Sequence, residues 1–264
     1  MGFSIAEGIK NKYSVSVFDK DKNKISGLKN INAANNPVAL AKQSEIIILA
    51  VKPQDFDTLL KEIKDFVQNK LIISIAAGIT TGYIEKILGP VRVIRVMPNI
   101  AVKIGKGETG ICQGRYANEL DLLLGKKIFA TVGKVWELKE EMLDSVTAIS
   151  GSGPAYIFYD MEIKNIDPLK ISSELKNDYI TKLKDAAIAV GFDHRIALDL
   201  AASTTASSIS LLAQGKSLPA QLRKMITSPG GTTEAALKVI TSGGSWTQAA
   251  IAAKKRAGEL SKKE

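Results

Sequence analysis

Glu45-Ile46-Ile47-Ile48-Leu49-Ala50-Val51 is almost continuously apolar and is stopped by Lys52-Pro53. A short aliphatic run without alternation suits a strand covered on both faces, the usual condition of a parallel sheet. Downstream, Phe56, Leu59, Leu60, Ile63 and Val67 recur at helical spacing. Leu71–Ile75 is a second buried strand, ended by Ala76-Ala77-Gly78. Thr81–Leu88 then reads as a helix capped by Thr80 or Thr81, and Val91–Val96 as a third strand, stopped by Met97-Pro98-Asn99. Upstream, the β-branched run Ser14–Asp19 ends in an acid and precedes a short helix at Lys22–Leu28. Alternation of this kind predicts an α/β fold with a doubly wound parallel sheet. Ligands of such sheets bind beyond the carboxyl ends of the strands. Here those ends are Asp19, Val51-Lys52-Pro53, Ala76-Ala77-Gly78 and Met97-Pro98-Asn99, and together they read as one crevice.

After about Lys139 the pattern changes. Glu140–Ile149 and Ala155–Tyr159 look helical around Ser150-Gly151-Ser152-Gly153-Pro154. Ile196–Leu212, Leu218–Ile226, Thr232–Ile240 and Thr247–Leu260 are Ala/Leu-rich helices. The expected division is therefore a doubly wound α/β domain over 1–139 and an all-helical domain over 140–264. The 264 residues are 45% hydrophobic, enough for a proper core. No apolar run reaches bilayer-spanning length, the first residues lack the pattern of a signal peptide, and a cytoplasmic location with no membrane partner is expected. The single cysteine, Cys112, excludes an internal disulfide and any cysteine-cluster metal site, and no metal is expected. The net charge of +9 suits phosphorylated cofactors and carboxylates as well as nucleic acid. The lysines are scattered and aromatics are only 6%, so no nucleic-acid partner is expected. The one histidine, His194, reads as a surface residue near a helix start.

Ser228-Pro229-Gly230-Gly231-Thr232-Thr233 joins two helical segments. Proline fits a first helical turn, and paired glycines leave backbone N–H groups uncovered. Threonine hydroxyls beside a helix N-terminus add donors where the dipole favours an anion. A small carboxylate fits such a place. An ordinary helix–turn–helix corner with a threonine cap fits it equally well.

Val51-Lys52-Pro53-Gln54, Arg95-Val96-Met97-Pro98-Asn99, Ser150-Gly151-Ser152-Gly153-Pro154-Ala155-Tyr156 and Ser228–Thr233 occur in this order. With them the chain resembles the pyrroline-5-carboxylate reductase family from Met1 to its last helix. The resemblance implies a Rossmann-like domain and a helical dimerisation domain. It implies NAD(P)H reduction of 1-pyrroline-5-carboxylate to L-proline, in homodimers or larger homo-oligomers. It implies that the backbone of Gly230, Gly231 and Thr232, with Ser228, holds the substrate carboxylate. The Thr233 hydroxyl then serves the ring nitrogen as the catalytic group, while the source of the proton stays open. The cofactor set it implies is Gly2, Asp19, Lys20, Ala50, Val51, Lys52, Pro53, Ala76 and Asn99. Lys52 lines the nicotinamide ribose or stands near the substrate carboxylate; a solvated lysine is the plain alternative. Ser150 and Ser152 form a helix kink that packs against a partner subunit instead of touching ligand. Asp19 suits the ribose hydroxyl of NAD, whereas Lys20 and Lys22 suit the extra phosphate of NADP. NADP is expected, with NAD as the alternative.

Two departures from the family pattern matter. Members begin with a strand and a glycine loop ending in Gly-Asn-Met-Gly, and Met1-Gly2 matches only the end of it. The sheet is thus expected to lack its first strand, either because the start was assigned at an internal methionine or because the chain is short. In the second case pyrophosphate binding would be weakened, and a fold-retaining protein with impaired cofactor binding becomes a second reading. The other departure is a polar insert of about twenty residues, near 161–183. Asn165-Ile166-Asp167-Pro168 should break the helix there; a surface excursion is the plain reading, with deranged dimer helices or a faulty gene assignment as the alternatives. A related hydroxy-acid dehydrogenase is a third reading. It needs a catalytic lysine or histidine where this chain offers hydroxyls and glycines.

Overall fold

A computed structural model describes residues 1–214 and 217–261, and at Pro53 the backbone alone. The elements run α1 (Gly2–Ile9), β1 (Ser16–Val17), β2 (Asn32–Ala33), α2 (Pro37–Gln43), β3 (Ile46–Leu49), α3 (Pro53–Ile63), β4 (Leu71–Ser74), α4 (Thr81–Leu88), β5 (Arg92–Pro98), β6 (Gly107–Gln113), α5 (Glu119–Phe129) and β7 (Gly133–Glu137). The helical part follows: α6 (Leu143–Val146), α7 (Gly153–Ile163), α8 (Ser173–Ala189), α9 (His194–Ala213), α10 (Pro219–Ile226), α11 (Thr232–Thr241) and α12 (Trp246–Ser261).

The main sheet has the order β3-β4-β5-β6-β7. Its first three strands are parallel, with Ile47 opposite Ile72 and Ile72 opposite Val93. All four residues of β4 are buried, as its unbroken apolar run requires. β6 adds one antiparallel pairing to this parallel-dominated sheet, because it runs antiparallel to β5, and β7 is again parallel to β6. Only the 3-10 turn Ile100–Ile104, closed by Gly105, separates β5 from β6. So short a link cannot carry the crossover that a parallel pair needs.

The run Ser14–Asp19 shortens to the two residues of β1, which pair with β2 in a separate two-stranded parallel ribbon. No strand among the described residues joins this ribbon to β3. The expected helix at Lys22–Leu28 is only a 3-10 turn, Lys22–Lys24, capped by the Asp21 side chain. None of its residues is buried, so nothing anchors a longer helix.

In the helical part, Tyr156 is fully buried, and Tyr179 stacks on Trp246 with ring centroids 5.5 Å apart. Most of the stretch 161–183 is exposed, but Met161, Tyr179 and Leu183 reach the core. α7 does stop at Ile163, ahead of the Asn165–Pro168 break, but Ser173 onward is regular helix. There Tyr179 and Leu183 are buried, and the Tyr179 hydroxyl donates to Asp160 Oδ2 at 2.8 Å. Their spacing of four residues gave the polar stretch an inward stripe. α9 is, by length and a mean hydropathy of 1.4, apolar enough to cross a membrane, which the sequence reading did not anticipate; half of that stretch is buried inside the fold.

β5 is tied directly to the helical part from its middle. Arg95 is only 4% exposed and reaches Glu140 and Asp144, each at 3.3 Å. Glu140 in turn accepts from the Thr81 amide and hydroxyl, both at 2.7 Å, so it caps α4. Thr80 also caps that helix through the Tyr83 amide. Two residues beyond Arg95, the Met97 methyl lies against Gly151, where a Cβ would stand 3.2 Å away.

Candidate active site

Between α6 and α7 the helix does not break at Ser150–Pro154. It widens into a π turn, Thr147–Gly151, with the Ser152 amide donating to the Thr147 carbonyl at 2.8 Å. The wider turn spans five residues per bond, and such turns recur where a side chain must be re-aimed. The Ser150 hydroxyl is spent on the Val146 carbonyl. Ser152, with no exposed surface, faces α11 instead. Its hydroxyl lies 3.1 Å from Thr233 Oγ1 and 3.3 Å from Thr232 Oγ1. The expected kink is present, but its serine touches the threonine turn of the same chain.

Ser228–Gly231 is a tight turn, closed by the Gly231 amide on the Ser228 carbonyl at 3.0 Å. Gly230 has φ +68°, where a side chain would be strained. A Cβ on Gly231 would stand 2.3 Å from Ser228 Oγ. Gly231 is the N-cap of α11, so the first N–H groups of that helix face outward from the turn. Both sides of the Gly230 peptide are gripped by charged groups. Its N–H donates to Glu234 Oε2 at 3.1 Å, and its carbonyl accepts from Arg256 Nε at 2.8 Å. The Gly230 amide, helped by Lys238 and Arg256, holds the Glu234 carboxyl below the usual carboxylate range. The sequence reading missed Glu234 and Arg256. The first directly follows the motif as the third residue of α11, which was a local signal; the second comes from α12 and gave none.

α12 links this turn to the strand ends. One turn beyond Arg256, Leu260 packs over Gly78, whose φ is +78°. Around the crevice Ala50 and Lys52 are exposed, Val51 half-buried and Ala76 buried, and Pro53 begins α3. The start of α1 abuts β3, since a Cβ on Gly2 would stand 2.9 Å from Ala50 Cβ. Asp19 accepts from the Asp21 amide at 2.9 Å. Lys20 pairs with Asp55 at 2.8 Å, an exposed contact that costs little to exchange. Asn99 is 2% exposed, and its Oδ1 caps both Ala101 and Glu108 amides. Its Nδ2 is buried without a partner among the described residues. A buried donor left over at a strand's carboxyl end is what a polar ligand in the crevice would satisfy. Small side chains, a helix start, an acid with a neighbouring lysine and this spare amide fit a dinucleotide. His194 is exposed at the start of α9, away from these groups in sequence and bonding.

Two family models match the chain. One, described as pyrroline-5-carboxylate reductase dimerisation, covers residues 178–262. The other, described as NADP oxidoreductase, coenzyme F420-dependent, covers residues 1–78. The pyrroline-5-carboxylate reductase of Methanosarcina acetivorans is 34% identical over 238 residues, which is 88% of this chain and 81% of that protein. Among solved structures, the pyrroline-5-carboxylate reductase of Coxiella burnetii superposes with a TM-score of 0.65 at 31% identity, covering 99% of this chain and 95% of that one. The Plasmodium falciparum pyrroline carboxylate reductase, solved with NADP bound, gives a TM-score of 0.63 at 26% identity, covering 99% and 94%.

Proposed function

The chain belongs to the pyrroline-5-carboxylate reductase family, and from that membership we infer its reaction: reduction of 1-pyrroline-5-carboxylate to L-proline with a hydride from NAD(P)H, the last step of proline biosynthesis. NADP is the cofactor that the matched N-terminal family and the Plasmodium relative support. Bound in the crevice, it supplies the hydride. The residues we assign to hold it are Gly2 at the pyrophosphate, Asp19 and Lys20 at the adenosine ribose, and Ala50, Val51, Lys52, Pro53, Ala76 and Asn99 along the nicotinamide half.

We assign the substrate to the start of α11. Its carboxylate is held by the backbone N–H of Thr232 with the Ser228 hydroxyl, at the positive end of the helix. Gly230 and Gly231 serve from behind by shaping the turn, because their own amides are engaged by Glu234 and by the Ser228 carbonyl. The Thr233 hydroxyl donates to the ring nitrogen as hydride reaches the adjacent carbon. Holding donor and acceptor in line is the main catalytic work, and proximity alone can contribute about 7 kcal/mol or more. The observation that carries this assignment is the buried Thr233 hydroxyl, held by Ser152 at the mouth of a helix N-terminus. The chain forms homo-oligomers through its helical part, with a dimer as the unit, 1–139 as the cofactor domain, 140–264 as the substrate and dimerisation domain, and the cytoplasm as its place of work.

The test is an assay of the purified protein with 1-pyrroline-5-carboxylate and NADPH. Loss of NADPH should match L-proline formed, mole for mole. Folded protein that forms no proline would sink the assignment.

A further inference from the structure

A reduction of an imine to an amine consumes a hydride at carbon and a proton at nitrogen. The three hydroxyls at the start of α11 suggest where the proton comes from. Thr232 and Thr233 are the first two residues of α11. They have no preceding helical turn whose carbonyls their hydroxyls could reach, so both side chains are available to bond across to another element. Both meet Ser152 Oγ. Ser152 is fully buried, Thr233 is 5% exposed, and Thr232 is half-buried, so the row opens toward solvent at Thr232.

Each hydroxyl carries one proton. When Thr233 donates to a ring nitrogen, it can only accept from Ser152. Ser152 must then accept from Thr232, and Thr232 from water. The row thus has a single productive direction, from solvent inward.

We propose that Ser152 is a positioning residue for proton delivery, the middle member of a relay Thr232–Ser152–Thr233. This rests on the imine-reducing reading given above. As the hydride bonds to the ring carbon, the C=N π pair becomes the nitrogen lone pair and takes the proton of Thr233 Oγ1. Thr233 is restored by the Ser152 proton, Ser152 by the Thr232 proton, and Thr232 by water. The reducing electrons come from NAD(P)H, and the net uptake is one hydride and one proton. The π turn is what makes the relay possible, since it aims Ser152 at α11 while Ser150, two residues earlier, bonds within its own helix.

The experiment is single-turnover oxidation of NADPH with 1-pyrroline-5-carboxylate in mixtures of light and heavy water. It compares the parent enzyme with Ser152→Ala and Thr232→Val. The parent should show a solvent isotope effect that curves with deuterium fraction, the sign of several protons moving together. Ser152→Ala should slow the step by about tenfold to a hundredfold, within the usual worth of positioned proton transfer, with substrate and cofactor KM little changed. Its residual rate should depend linearly on deuterium fraction. Thr232→Val breaks the row at its outer end, at a half-buried position, and should give the same linear response even if Ser152→Ala fails to fold. A parent without curvature, or variants that keep the parent's curvature and rate, would overturn the relay. A parent that forms no proline would instead overturn the reaction assignment itself.

Discussion

Two residues show how local surroundings set chemistry here. Thr233 sits where a hydroxyl is useful: buried, in the first turn of α11, and held by Ser152 at 3.1 Å. Thr233→Ala should therefore lower kcat by about tenfold to a hundredfold. NADPH affinity, read by fluorescence titration, should stay within a few-fold. A variant that loses cofactor affinity instead would show that Thr233 has been given the wrong partner. Cys112 is the opposite case. It lies in β6, 4% exposed and opposite Arg95 in register. Burial, with the Glu140 charge, pushes its thiol up to about 12, against the weaker opposing pull of Arg95. Only the thiolate alkylates readily. Iodoacetamide at pH 8 should thus leave native protein unlabelled over an hour and label it fully in denaturant. Prompt stoichiometric labelling of folded protein would show that β6 opens on its own.

At the scale of elements, what could be read in advance was what local composition controls. β3, β4 and β5 announced themselves as unbroken aliphatic runs, and the helices from α9 to α12 were legible from their apolar spacing and caps. β6 was not, because Gly107, Glu108 and Gly110 weaken any strand signal and the strand exists through its antiparallel partner β5. The site shows the same division. Ser228–Thr233 was legible as a turn that leads into a helix start. Its meeting with Ser152 was not, since 81 residues separate the hydroxyls and a π turn brings them together. Glu108 is another product of pairing. It is 3% exposed in β6, accepts from Trp136 Nε1 of β7 at 2.7 Å, and accepts from the Ser203 hydroxyl of α9. Burial raises its pKa, although the Ser203 and Trp136 hydrogen bonds and Lys134 oppose this. A carboxyl whose folded pKa is raised favours the fold while protonated. That contribution is complete below the unfolded value of 4.5 and is lost as pH rises through the higher folded value. Glu108→Gln keeps an acceptor for Trp136 and a partner for Ser203 without a charge. It should match the parent near pH 4.5 and exceed it in urea midpoint at pH 8. Glu108→Ala leaves Trp136 Nε1 and Ser203 without their acceptor and should cost about 1–3 kcal/mol. Equal urea midpoints for Glu108→Gln and parent at both pH values would mean that the carboxylate is solvated in the folded protein.

For the whole molecule, the question is how two differently built halves keep one reaction geometry. The strand ends belong to the sheet, and the threonine turn belongs to the helices. Between them stand Met97 against Gly151, Leu260 over Gly78, and the buried Arg95 with Glu140 and Asp144. The apolar contacts give area without direction, whereas the guanidinium fixes orientation through its planar fork. Its two acids sit on consecutive turns after β7, and Glu140 also ends on α4, so one cation aligns β5, α4 and α6. Removing a buried cation leaves its partners uncompensated and typically costs about 3–5 kcal/mol. The two acids here keep 31% and 21% of their side-chain surface in water, which places the loss toward the lower end. Arg95→Met should then lower the thermal midpoint by about 6–12 °C for a chain of this size. It should also raise KM for both NADPH and the imine, although neither is assigned to touch Arg95. Asp144→Asn combined with Arg95→Met separates alignment from simple loss of stability. If the two changes share one interaction, the double variant should lose less than the sum of the singles. Additive losses, with KM values unmoved, would mean that the two halves are aligned by their apolar contacts alone.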